Sequence, residues 1–194
     1  PLRGSKGMLY EGGIREPLIV KGPGVTKADP PCHEPVIGID LYPTFLEATG
    51  TSAPKDYTLD GKSIVPLLRD STASLGRKAI YWHFPCYLQG YTERHGPFRI
   101  TPAGAVRAGD WKLIEFFEDG TLELYNLVND IGEKNNLTKS EPKKTDELHK
   151  LLTGWRKQVK APVPTTPNPR YDPKAGTKKQ PGKGRKPKKK PSKS

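Results

Sequence analysis

The chain has 194 residues, with 33 Lys+Arg against 21 Asp+Glu, a formal net charge of +12, 21 prolines and 20 glycines. No stretch approaches the roughly 18 apolar residues of a helical membrane span, which excludes such a span from this chain. Two cysteines, Cys32 and Cys86, are too few for a disulfide framework or a four-thiolate metal site and allow one bridge at most.

The charge is concentrated at one end. Residues 161–194 hold 11 basic side chains and one acid, Asp172, which leaves only +2 on residues 1–160. The same tail holds eight prolines and hardly any large apolar residue, so it cannot bury enough surface to offset the entropy of ordering. It is expected to be disordered. Its run Lys186-Pro187-Lys188-Lys189-Lys190 suits nonspecific contact with a polyanion, by charge alone. The alternative is a solvated tail with no specific partner. Residue 1 is Pro and the only Met is Met8, so the chain is expected to be a fragment.

In chain order, Pro17-Leu18-Ile19-Val20 is a short apolar run closed by Gly22-Pro23-Gly24, the pattern of a strand buried on both faces. Asp40 before Leu41, with Pro43 in the first turn and Gly50 after the last, predicts a short helix capped by Asp40. Ser63 to Leu68, with Pro66, predicts a second. Strand followed by helix is the order of an α/β layer. Ala79 to Phe84 has strand composition. Ala105-Val106-Arg107, the turn Ala108-Gly109-Asp110, and Trp111 to Phe117 read as a hairpin, and Thr121 to Tyr125 as the next strand. A helix follows from about Glu141 to Lys160, where Leu148, Leu151, Leu152, Trp155 and Val159 make one apolar stripe able to cover a face of the sheet. Trp111 and Trp155 are expected in the core. The predicted division is 1–76 for the end of an α/β domain, 77–160 for a small antiparallel sheet with a helix, and 161–194 for the tail.

The segment Gly4-Ser5-Lys6-Gly7-Met8-Leu9-Tyr10-Glu11-Gly12-Gly13-Ile14-Arg15 resembles the G-x-K-G-x-x-Y-E-G-G-x-R signature of type I sulfatases. Asp40-Leu41-Tyr42-Pro43-Thr44, Asp60-Gly61-Lys62-Ser63, Trp82-His83-Phe84-Pro85, Ala108-Gly109-Asp110-Trp111-Lys112-Leu113-Ile114 and Glu123-Leu124-Tyr125-Asn126-Leu127 follow in that family's order, over about residues 1–157. The chain is similar to the C-terminal part of arylsulfatase-like enzymes of the alkaline-phosphatase superfamily, bacterial polysaccharide sulfatases above all. The resemblance implies an α/β fold, hydrolysis of sulfuric esters of a carbohydrate or aryl group, and a periplasmic or extracellular setting. It also implies a formylglycine nucleophile made from Cys or Ser in a C/S-x-P/A-x-R motif, and a calcium ion that polarises the sulfate.

This chain departs from that set. Cys32 is followed by His33-Glu34-Pro35-Val36 and Cys86 by Tyr87-Leu88-Gln89-Gly90, and neither fits the nucleophile motif. Formylglycine and calcium ligands are therefore expected upstream, with no metal site within the chain, and the 194 residues alone are expected to be inactive. Of the family's catalytic groups the signature lysine maps onto Lys6, implied to bind the sulfate oxygens. Read as residues alone, Lys6 is a lysine among glycines, which allow close backbone approach to a ligand; a compact ammonium suits a tetrahedral anion. His83, at a strand end, is a candidate for proton transfer or a sugar contact. Tyr87, Arg94, His95 and Arg99, in a loop from Cys86 to Arg99, are candidates for stacking on a sugar and pairing with further sulfates. For each, a purely structural or solvated role is the alternative. Glu11 and Arg15 are expected to brace the signature as an ion pair. Asn136-Leu137-Thr138 fits a glycosylation sequon. Two other functions stay open: a phosphoester hydrolase of the same superfamily, and a non-catalytic polyanion-binding remnant.

Overall fold

The computed structural model describes residues 1–25, 31–89, 94–166 and 168–171, without the side chains of 89 and 94–99. The tail from 172 onward, with its lysine run, lies outside the described residues.

The first part holds short helices. These are α1 (Glu11–Ile14), α2 (Leu41–Ala48) and α3 (Val65–Arg69), with a 3-10 turn over Gly38–Asp40. Pro17 to Val20 is extended but joins no sheet, and Ile19 is 91% exposed. This corrects the expectation of a buried strand. A strand covered on both faces needs neighbours in its layer, and none of the described residues supplies them.

Asp40 does not cap α2 with its side chain. Its buried carboxylate accepts from the Ile37 and Lys62 amides, each at 2.9 Å, and pairs with Arg77. Thr44 Oγ1 donates to the Asp40 carbonyl at 2.5 Å and accepts from the Ile64 amide at 3.0 Å. One aspartate and one threonine thus tie α2 to the start of α3.

The second part is a four-stranded antiparallel sheet in the order β1 (Ile80–Phe84), β4 (Ala103–Ala108), β5 (Trp111–Phe116), β6 (Leu122–Asn126). The β4–β5 turn uses Gly109 at φ +57°, where a residue without Cβ is unstrained. The stretch from Cys86 to Arg99, expected as a loop, contains a second antiparallel pair. Its strands are β2 (Leu88–Gln89) and β3 (Arg94–Ile100), with Leu88 opposite Ile100.

Strand alternation gives the main sheet two apolar faces. Ala103, Ala105, Ile114, Tyr125 and Leu127 form one, under Leu9, Tyr10 and Ile14 of the signature segment. Val106, Leu113 and Leu124 form the other, under α4 (Pro142–Gln158), which inserts Leu148 and Leu152. Trp155 stacks on Tyr81 with ring centroids 4.8 Å apart and planes within 3°. Leu151 and Val159 are outside this contact, 37% and 49% exposed, so the buried stripe is narrower than expected. Asn136 is committed to the fold: its side chain accepts from the Leu124 and Thr138 amides and donates to the Leu122 carbonyl. Cys32 and Cys86 are free thiols.

Candidate functional site

The signature segment is a closed loop with Lys6 at its tip. The Gly12 amide donates to the Arg3 carbonyl at 2.7 Å and joins the two ends. At the tip, the Met8 amide donates to the Ser5 carbonyl at 3.0 Å, a turn with Lys6 and Gly7 at its centre. Gly7 has φ +89°, and a turn with positive φ at its third position favours glycine. Behind the tip the chain is folded so tightly that side chains are excluded. A Cβ on Gly12 would lie 2.5 Å from the Arg3 carbonyl oxygen, and one on Gly13 would overlap the Met8 carbonyl. Lys6 itself is exposed.

The base of the loop is held by buried charge. Glu11 Oε1 lies 3.0 Å from Lys112 Nζ on β5, and Lys112 Nζ lies 2.8 Å from Glu133 Oε1. All three side chains are at most 2% exposed. The Glu11 amide donates to Glu133 Oε2 at 2.6 Å. Arg15 pairs with Glu11 at 3.3 Å from a half-exposed position, so the expected pair is present but is secondary to Lys112. Burial pushes the Glu133 carboxyl up, against the opposing pull of the Lys112 ammonium. A buried ammonium shared by two carboxylates is a high-stakes arrangement: removing the cation leaves uncompensated buried charge.

The other end of the base is tied by Arg3. Its Nη1 donates to the Tyr125 hydroxyl at 2.8 Å and to the Glu133 carbonyl at 2.9 Å. Its guanidinium covers the Tyr10 ring at 3.9 Å. Tyr10 and Tyr125 both donate to Glu123 Oε2, each at 2.8 Å. Burial, and then the Glu123 carboxylate, hold both phenols well above their ordinary range, so both stay protonated donors.

The structure brings the β2–β3 segment against the signature loop. The β2–β3 pair rests on the loop, since a Cβ on Gly7 would lie 2.6 Å from Leu88 Cδ2. Tyr87, next to Leu88 in sequence, is half-buried. Arg94, His95 and Arg99 lie on β3 of the same pair, and their side chains are outside the described ones. His83 is placed elsewhere. Its neighbours Trp82 and Phe84 pack toward the signature loop, so alternation along β1 turns His83 to the α4 face. There Nε2 meets the Pro162 carbonyl at 2.7 Å, with Phe117 and Trp155 beside the ring. That position is on the opposite face of the sheet from Leu9, Tyr10 and Ile14 of the signature loop.

The roles of Arg3, Lys112, Glu123 and Glu133 at the loop base escaped the sequence reading. Their partners across the loop base lie more than 100 positions away, and no local pattern pairs them. Among the described residues, no group of three His, Cys, Asp or Glu side chains could hold a metal ion, and no helix is long and apolar enough to cross a membrane. A groove of about 850 Å³ lies between residues 14–20, 31–36, α3 and the β1 edge; Lys6 does not line it.

Residues 5–159 match the family described as N-sulphoglucosamine sulphohydrolase, C-terminal. A sulfatase of Formosa agariphila is 37% identical over 172 residues, covering 84% of this chain and 31% of that protein. An N-acetylglucosamine-6-O-sulfatase of Bacteroides thetaiotaomicron is 34% identical over 160 residues, covering 80% and 27%. The crystal structure of Ps i-CgsB in complex with k-i-k-neocarrahexaose superposes with a TM-score of 0.63 at 26% identity, over 80% of this chain and 32% of that one. The chain spans less than a third of the length of these relatives.

Proposed function

The chain belongs to the sulfatase family and has the fold of that family's C-terminal α/β region, and on that premise we propose that the protein carrying it hydrolyses sulfuric esters of a sulfated carbohydrate. The observation that carries the reading is Lys6, an exposed cation at the tip of a loop that is closed by Gly12 and Gly13 and anchored through Leu9, Tyr10 and Glu11. In this reading the Lys6 ammonium binds the sulfate oxygens and offsets their charge as the ester bond breaks. Tyr87 and the β2–β3 pair contribute the wall for the sugar, with Arg94, His95 and Arg99 as further anion contacts. In this reading His83, turned to the α4 face, serves the contact with Pro162 and is assigned no proton transfer.

Formylglycine and calcium belong to the proposal as groups supplied outside this chain. Among the described residues no cluster of His, Cys, Asp or Glu fits the metal. When bound, calcium would polarise the sulfate. The carbohydrate class is supported by the names of the relatives, an N-acetylglucosamine-6-O-sulfatase and a protein complexed with neocarrahexaose. Such substrates favour a periplasmic or extracellular setting.

The test is turnover by the whole protein of matched sulfate and phosphate esters and of sulfated oligosaccharides, with Lys6→Ala beside it. Sulfate-selective turnover that falls about a hundredfold or more in Lys6→Ala is expected. Turnover of the phosphate esters alone, or unchanged turnover in Lys6→Ala, overturns the reading.

A further inference from the structure

Glu133 stands out twice in the same place. Its backbone has φ +51°, a region that L residues other than Asn and Asp rarely occupy. Yet it is 0% exposed and carries a charge, so glycine, which would relieve the backbone, is not what stands there. What the residue does with this conformation is visible in its contacts. Its carbonyl receives Arg3 Nη1 at 2.9 Å, and its carboxylate receives the Glu11 amide at 2.6 Å and Lys112 Nζ at 2.8 Å. Arg3 and Glu11 are the two sides of the loop base, adjacent to the Gly12-to-Arg3 closure. One residue thus grips both strands of the loop, by its main chain on one side and its side chain on the other. The turn around it is anchored independently: the Glu133 amide donates to the Asp130 carbonyl at 3.1 Å, and Asp130 Oδ2 accepts from the Lys134 and Asn135 amides, each at 2.8 Å.

We infer that Glu133 is a positioning residue for Lys6, a clamp that sets where the lysine presents its charge, with Lys112 as the counter-ion that holds the clamp in place. The inference rests on the reading of Lys6 as the sulfate-binding cation. Locally unfavourable backbone held at a buried, charged position is the kind of feature that a site requirement explains and that fold stability alone disfavours.

The test is a double-mutant cycle in the whole protein between Glu133→Gln and Lys6→Met. Glutamine keeps the shape and one acceptor but loses the charge shared with Lys112. Glu133→Gln is expected to lower kcat/KM by about ten- to a hundredfold, the scale of a small misplacement of a binding group. In the Lys6→Met background the same change is expected to cost less than about twofold, because the clamp acts through Lys6. A merely structural role predicts multiplied losses, and that outcome overturns the inference. A second readout does not depend on turnover. Amide hydrogen exchange of residues 5–13 should accelerate at least about tenfold in Glu133→Gln, while β4 and β5 keep their protection. Unchanged exchange in that loop also overturns it. If the wild type turns over no sulfate ester, the functional reading fails while the exchange arm still decides on the clamp. Should Glu133→Gln not fold, Arg3→Met removes the other tie from a side chain that is 40% exposed, and the same two results are expected.

Discussion

Single residues here do jobs that their neighbours in sequence do not announce. Asp40 is the clearest case. Burial alone would raise its carboxyl, but the Arg77 guanidinium and the Lys62 and Ile37 amides outweigh burial and hold it below the ordinary carboxylate range. A carboxyl depressed in the folded state adds stability that is complete above its unfolded value, near 3.8, and is lost as pH falls through the lower folded value. Asp40→Asn is therefore expected to destabilise by about 1.5–3 kcal/mol at pH 7 and to flatten the acid limb of a Tm-against-pH curve. An acid limb unchanged from wild type would show that this carboxylate is not linked to folding. Gly13 makes a second residue-scale prediction. Alanine there meets the Met8 carbonyl, so Gly13→Ala should open the loop, cost at least about 1 kcal/mol, and lower activity together with Tm.

At the scale of elements, the sheet separates two tasks. One face carries the signature loop and the other carries α4. Leu152 of α4 is fully buried against the sheet, and Leu152→Ala should cost about 2–5 kcal/mol in chemical denaturation. Because α4 lies across the sheet from Lys6, the same variant should leave KM for a sulfate ester within about twofold of wild type below its Tm. A large rise in KM would mean that the faces are coupled. Glu115 on β5 adds to the helix side, bonded to Arg156 at 2.5 Å and facing His149 at 3.4 Å. The β2–β3 pair is the element that sequence treated as loop. Its Gly-Pro step and interleaved charges hide the strand period, and only the pairing of Leu88 with Ile100 reveals it.

For the whole molecule, the arrangement of charge and apolar surface bears on how it works. The exposed Leu18, Ile19 and Val20 line one side of the groove, opposite Ile80 and Trp82, and pair with no strand among the described residues. Neither cysteine sits in a nucleophile motif. The isolated 194-residue chain is accordingly expected to show no turnover of 4-nitrophenyl sulfate above a buffer blank. Turnover by the chain, proportional to its concentration and surviving repurification, would place a nucleophile within it.

The period-two alternation of β4 to β6, the Gly109 turn and the 3.6-residue stripe of α4 are local signals, because backbone geometry and solvent exposure write them directly into neighbouring residues. They determined the antiparallel sheet and its covering helix. The glycine-rich segment marked Lys6 in the same way, since close chain approach tolerates no side chain at Gly12 and Gly13. What the sequence alone could not assign was the use of charge. Glu11 finds Lys112 101 positions away, Arg3 finds Tyr125 122 positions away, and Asp40 finds Arg77 37 positions away. The side of β1 on which His83 falls follows from which face the loop covers. Such pairings exist only once the sheet has brought distant segments together, where burial makes an unpaired charge costly and so selects its partner.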